Sequence, residues 1–443
     1  MSSRAPVILT KFRNLGEQMK KIVKMSLVAA VAVAGLTAAN AKPLEEAIKN
    51  VDVSGSVVYR YNDERTDNVN PATKDTSSQT NNYKIGLNLS SKVNDDVKVN
   101  TRFIVGGDDL GFASLNSATT ADGSVGVELS NVYFGYTGIK NTTVNVGKQG
   151  LTTPWTVAQD INGNEQTGTG ILALSTWGPV TVAGAYFNQT NLNASGNFAS
   201  TSNRLGANIM DAASGSNTNS GAKDIYTVAA IANVGPVTVD AWYLEMVDIF
   251  DTYTLGAKAG FDVSGVQLGA DLRYTSLSFD SQAVTNATLN STNDDNDIVK
   301  LTLTAKAGIV DAKYAFAKTD KEGGVIALDN DAATSIQGWS VNPLGKADAS
   351  FHQFVVGVQA LDSLHVSANY VTVKYNDLNS LLGAAGTDNA KNEQETEIYA
   401  QLVYKMSSNL TSYVRFGTEE RKVDGAKLNE ADYKGRLQVA YTF

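Results

Sequence analysis

Cysteine is absent from all 443 residues, which excludes disulfides, thiolate nucleophiles and thiolate metal sites. Histidine occurs only at His352 and His365, and the strand reading below puts them at opposite ends of the fold, where they cannot share a site. His352 with Asp348 is then the sole histidine–acid pairing open to a rim hydrolase. No serine elbow, phosphate loop or dinucleotide fingerprint is present. Cations are in deficit, 36 Lys and Arg against 45 Asp and Glu, which argues against a nucleic-acid partner. After Ala41 no apolar run approaches the roughly 20 residues of a membrane helix. A chain of this kind in a membrane must therefore cross as a closed barrel, since lipid offers no partner to an open backbone.

The amino terminus reads as an export signal. Lys20, Lys21 and Lys24 precede a small, apolar run that ends in Ala39-Asn40-Ala41, a small-residue cleavage pattern. The expected division is an upstream extension at 1–18, a signal peptide at 19–41 cleaved after Ala41, a short periplasmic segment at 42–50 and a barrel at 51–443. Leu44 and Ile48 would share one face of a short helix in that segment. Residues 1–41 hold six of the 36 basic and one of the 45 acidic residues, so 30 and 44 remain, a formal charge of −14.

Strands are written in the period-two pattern of the mature chain. In the last eleven residues, 433–443, Tyr433, Gly435, Leu437, Val439, Tyr441 and Phe443 share one parity, while Lys434, Arg436, Gln438 and Thr442 share the other. Taken alone this could be the edge strand of a soluble sandwich. Eighteen such segments occur, however, and their connections keep a phase. Tight turns stand at Asn94-Asp95-Asp96, 138–141, Gly178-Pro179, Gly235-Pro236, Ser264-Gly265, Gly308, Asp362-Ser363 and Ser407-Ser408-Asn409. Between them lie long polar stretches at 62–81, 106–123, 150–168, 188–222, 280–296, 320–349, 376–392 and 419–432, with one short exception near 248–251. That alternation predicts an all-β, antiparallel, up-and-down transmembrane barrel with short periplasmic turns and long extracellular loops. Outward sets such as Leu268, Leu272, Ile398 and Leu402 oppose inward Lys84, Asp271, Arg273 and Arg415, which predicts a polar, wet interior. Parity breaks between Leu129 and Val132, where a bulge is expected.

The segment ANAKPLEEAIKNVDVSGSVVYRYN (39–62), GKQGLTTPWT (147–156) with TGTGI (167–171), and the terminal strand ending at Phe443 resemble the major outer membrane porins of Campylobacter and its relatives. The resemblance runs over essentially all of 42–443, apart from the loops at 188–222 and 320–349. It implies an 18-stranded porin in the bacterial outer membrane, usually trimeric, that passes small hydrophilic solutes and ions by diffusion with a mild cation preference. It assigns an inner constriction loop to 150–168, where Trp155, Asp160 and Glu165 would face inward cations such as Arg273, Arg415 or Arg436. Calcium is an optional ligand, with Asp160 and Asp271 as candidates; no cofactor is required. Tyr441 and Phe443 would form the signal read by the barrel assembly machinery. Outer-membrane lipid and lipopolysaccharide are the expected surroundings. Two other readings stay open, a surface adhesin acting through the long loops and a substrate-specific channel.

Overall fold

The computed structural model describes residues 51–68, 75–115, 126–192, 195, 220–280, 295–321, 324, 326–377 and 391–443. The leader, the helix expected at 43–50 and most of the loop at 188–222, on which the adhesin reading leans, lie outside the described residues.

One antiparallel sheet closes on itself. Its wall begins with β1 (Val51–Asn68), β2 (Thr76–Lys92), β3 (Val97–Gly106), β4 (Gly126–Tyr136), β5 (Thr142–Gly150) and β6 (Thr167–Trp177). It continues through β7 (Val180–Thr190), β8 (Ile225–Val234), β9 (Val237–Met246), β10 (Phe250–Val263), β11 (Val266–Phe279) and β12 (Asp295–Ala307). It ends with β13 (Val310–Thr319), β14 (Ala347–Leu361), β15 (Leu364–Asp377), β16 (Lys391–Lys405), β17 (Leu410–Val423) and β18 (Asn429–Thr442). These are the eighteen wall strands among the described residues; two dipeptide strands, Ala113–Ser114 and Ala426–Lys427, decorate the loop ends. The last strand pairs with the first, Val57 opposite Tyr441 and Tyr59 opposite Val439, so the barrel has no edge. Gly55 and Phe443 exchange both backbone hydrogen bonds, at 2.9 and 3.0 Å.

The turns form where their residues allow left-handed backbone. Asn141, Gly178, Gly235, Gly265 and Gly308 all have φ near or above +58°. The bulge expected in β4 falls at Ser130: Arg102 faces Asn131 and Phe103 faces Leu129, leaving Ser130 unmatched. Several stretches expected to be loops are strand. The β1–β2 ladder runs out to Thr66 opposite Thr76, and β17 reaches Val423, opposite Ala426. Above the membrane both faces of a strand are wet, so the apolar alternation that betrays a strand fades while the backbone pairing goes on.

Side chains of one parity, among them Leu272, Ile398 and Phe416, lie exposed on the outer face, as a lipid-facing band requires. The interior departs from the wholly polar expectation. Two apolar clusters lie inside, one around Trp155, Phe187, Leu244, Met246 and Leu277, the other around Ile326, Ile336, Phe351, Val371 and Tyr399. The first joins inward residues of the wall to Leu151, Trp155 and Leu328, and the second joins them to Ile326, Ile336, Val341 and Leu344, with Val157 packed against it. Apolar inward side chains here are seats for loop residues, and burying them stabilises the loops by about 25 cal/mol per Å2 removed from water.

Candidate functional site

Residues 151–166 leave β5 and run inside the wall, Leu151 and Trp155 packing toward β7–β11 and residues 160–165 on the inner face of β1–β3. Three cations on inward positions of consecutive strands hold them there. Arg60 donates to the carbonyls of Ile161 and Asn162, at 3.1 and 3.2 Å. Lys84 donates to the carbonyls of Asp160 and Gly163, at 2.7 and 2.8 Å. Arg102 grips the Glu165 carboxylate with Nη2 at 2.5 Å from Oε1 and Nε at 2.8 Å from Oε2. The bulge aims Ser130 at the same carboxylate, 2.7 Å away, and Lys84 stands 3.9 Å off. A buried charge needs such a full set of donors. Gly86 makes room for it: a Cβ there would lie 2.4 Å from Arg102 Nη2.

A second inner loop, described at 324 and 326–346, meets the first. Its Leu328 and Thr334 amides donate to the carbonyls of Trp155 and Pro154, both at 2.9 Å. Gln166 Nε2 donates back to the Leu328 carbonyl at 2.7 Å, and Asn162 Nδ2 to Asp331 Oδ2 at 2.7 Å. Three strands round the wall from β1, Glu397 of β16 accepts from the amides of Trp339, Ser340 and Val341, and from the Ser340 hydroxyl. Only glycine fits at 338, since a Cβ there would come within 1.9 Å of the Glu397 carboxylate. Lys300 of β12 donates to the Ser335 carbonyl at 2.8 Å.

These contacts relocate the expected site residues. Trp155 and Glu165 are fully buried and so anchor the loop instead of facing a passing solute. Arg273 does not oppose them. It is bidentate to Asp240, at 2.8 and 2.9 Å, because their positions on β11 and β9 flank Gly256 of β10. Asp271 lies on β11 opposite Thr302. The acids that gather with Asp160 are Asp329 and Asp331 of the second loop, with carboxylate oxygens within 4.8 Å of one another. Burial above all pushes the Asp160 carboxyl above its ordinary range; the Asn162 amide opposes this, and the Asp331 charge adds to it. Oxygen donors of this kind suit a hard cation such as calcium.

Arg415 and Arg436 are directly opposite each other on β17 and β18, both facing inward. Their guanidinium carbons lie 5.1 and 5.6 Å from the centre of the Trp339 ring. Arg415 donates to Gln401 and Arg436 to Asn62, each at 2.7 Å, and neither has an acidic partner among the described residues. Further out the cations are paired: Lys434 with Glu419 and Arg421 with Glu393 on this wall, and Lys346 of the second loop with Glu395. The His352–Asp348 pairing does not form. His352 Nδ1 meets the Tyr314 hydroxyl at 3.1 Å while Asp348 pairs with Lys318, and His365 lies 2.8 Å from Asp311 beside a tight turn.

A family model described as Campylobacter major outer membrane protein matches residues 19–443. No curated protein matches the chain. Among solved structures, Pseudomonas aeruginosa OpdL is 16% identical with a TM-score of 0.63, over 88% of this chain and 99% of that one. Pseudomonas aeruginosa OccK2 (OpdF) in complex with glucuronate is 14% identical with a TM-score of 0.62, over 88% and 98%. Pseudomonas aeruginosa OpdK with vanillate is 14% identical with a TM-score of 0.61, again over 88% and 98%. At such identity the likeness shows a shared fold.

Proposed function

The chain belongs to the Campylobacter major outer membrane protein family, and we propose that it works as a passive, water-filled diffusion channel for small hydrophilic solutes and ions, assembled as a homotrimer, with a mild preference for cations. The observation that carries this reading is the closed wall with two loops seated on its inner face, which narrows a lumen lined by charges of both signs. The acidic balance of the mature chain supports the cation preference. Purified protein should give stable stepwise conductance in planar bilayers, and the absence of steps would overturn the reading. Charge reversal at Asp331, the exposed member of the acidic group, should move the reversal potential in a salt gradient toward anions. An unchanged potential would remove that group from the ion path.

A second reading, a channel with a binding step for carboxylates, is favoured by Arg415 and Arg436 beside Trp339. Glucuronate and vanillate, held by two of the similar porins, are both carboxylates. Paired guanidinium groups without an acidic partner suit such a group. Vanillate flux should then saturate, and Arg415→Gln with Arg436→Gln should restore linear flux. Linear flux in the unaltered protein would leave simple diffusion.

Calcium, in this proposal, is held by Asp160, Asp329 and Asp331. It would offset two of the three facing carboxylate charges and tie the two loops. The test is thermal unfolding with calcium against chelator: a rise that Asp329→Asn abolishes supports it, and no rise removes it.

A further inference from the structure

We propose that the outer face of β13–β17 carries a binding site for one phosphorylated glycolipid of the outer leaflet, with its phosphate held by Lys318, Lys374 and Lys422. Lys318, Ser350, Lys374, Gln394 and Lys422 are successive cross-strand partners, one from each of five neighbouring strands. They share the parity of Phe354, Tyr370 and Ile398, which lie exposed on the lipid side. Four residues toward the periplasm the equivalent row is Tyr314, Phe354, Tyr370 and Ile398. Within about 13 Å of strand the outer surface thus passes from aromatic and aliphatic to lysine and hydroxyl.

The height of that change fits a leaflet boundary. Lys374 lies ten residues from Leu364 at the tight turn, about 33 Å along the strand. At a tilt near 40° this is about 25 Å of height, the usual thickness of the apolar band of an outer-membrane barrel. The row is also concave. Lys318, Ser350, Lys374, Gln394 and Lys422 line one cleft of ≈ 440 Å3.

Charge and shape together select the occupant. Lys318 pairs with Asp348, and Lys422 shares Glu420 with Lys427. Lys374 is exposed and has no acidic partner among the described residues. Glu393, which also lines the cleft, is paired with Arg421, so four lysines against Asp348 and Glu420 leave an excess of positive charge at a surface that otherwise meets lipid, which is complementary to a headgroup phosphate. Hydroxyl and amide side chains between the lysines suit a sugar. Below the aromatic row an apolar trough of ≈ 480 Å3 runs over Ala270, Leu303, Ala305 and Ala312 to Tyr314 and Phe354, the place for an acyl chain. Small alanines open the trough, and the His352–Tyr314 pair sits between it and the lysine cleft. The site rests on the outward orientation of the long-loop end, which belongs to the channel reading.

The test uses the full mature chain in phosphatidylcholine vesicles doped with bisphosphorylated lipid A or with its dephosphorylated form. Retained lipid is read by native mass spectrometry and the channel by conductance. The unaltered protein should retain the phosphorylated form selectively. Each lysine charge near such a surface is worth about fivefold in affinity, so Lys318→Gln/Lys374→Gln/Lys422→Gln should weaken retention roughly a hundredfold. Lys374→Gln alone, which breaks no pair, should weaken it about fivefold and guards against a misfolded triple variant. Conductance should be unchanged in both, so loss of the lipid and loss of the channel are separate readouts. Equal retention of the two lipid forms, or full retention by the triple variant, would overturn the site.

Discussion

At the scale of single residues the most consequential group is the Glu165 carboxylate, wholly buried and held by Arg102, Ser130 and Lys84. Removing one member of a buried ion pair leaves a desolvated charge and costs about 3–5 kcal/mol, whereas replacing both with apolar groups is often neutral. Arg102→Met should therefore lower the thermal unfolding midpoint strongly and make the open current noisy, while Arg102→Met with Glu165→Leu should recover most of the loss. A double variant as damaged as the single one would mean the pair does something other than anchor. The family resemblance put Glu165 in an inner loop, and strand parity turned Lys84 and Arg415 inward. Neither showed which cation Glu165 would meet, because strand parity fixes the face of a side chain and leaves its reach across the lumen open. Arg60, Lys84 and Arg102 stand on the consecutive strands β1–β3, and only the return of residues 160–165 from beyond β5 brings Glu165 to them.

At the scale of elements the strands were legible wherever one face meets lipid and the other water. The turns at Gly178-Pro179 and Gly235-Pro236, the bulge at Ser130 and the first-to-last pairing were all written in residue type and parity. The second inner loop was not. Residues 326–346 carry no period, and their cues are single contacts such as Gly338 against Glu397, meaningful only once β16 is beside them. Gly338→Ala should overpack that contact at a cost of about 1–3 kcal/mol. The expected outcome is faster cleavage of this loop by added protease with the barrel intact, followed as fragment appearance on a gel. A cleavage rate equal to the unaltered protein would show that Glu397 is not what seats the loop.

At the scale of the whole molecule, closure is the source of stability in a chain without disulfides, since every wall strand has two neighbours. An unboiled sample should run on a denaturing gel as a compact or trimeric species and shift on boiling. One mobility under both conditions would count against a closed, heat-labile barrel. Deleting Phe443 removes both backbone bonds to Gly55 and the ring stacked on Tyr441, 5.7 Å between centroids. If the terminal aromatic also guides insertion, this variant should accumulate unassembled in the periplasm while the molecules that do insert conduct normally. Normal insertion would restrict Phe443 to a local stabilising role.

The seam between the inner loops also orders events in time. Trp155 and Pro154 come from the first half of the chain and Leu328 and Thr334 from the second, and Trp155 and Leu328 share one buried cluster against the inner face of β7–β11. Neither loop can reach its final hydrogen bonds until strands from β1 to β16 stand in place. The inner narrowing is thus made of contacts between segments far apart in the chain, which can form only where distant wall strands already stand side by side.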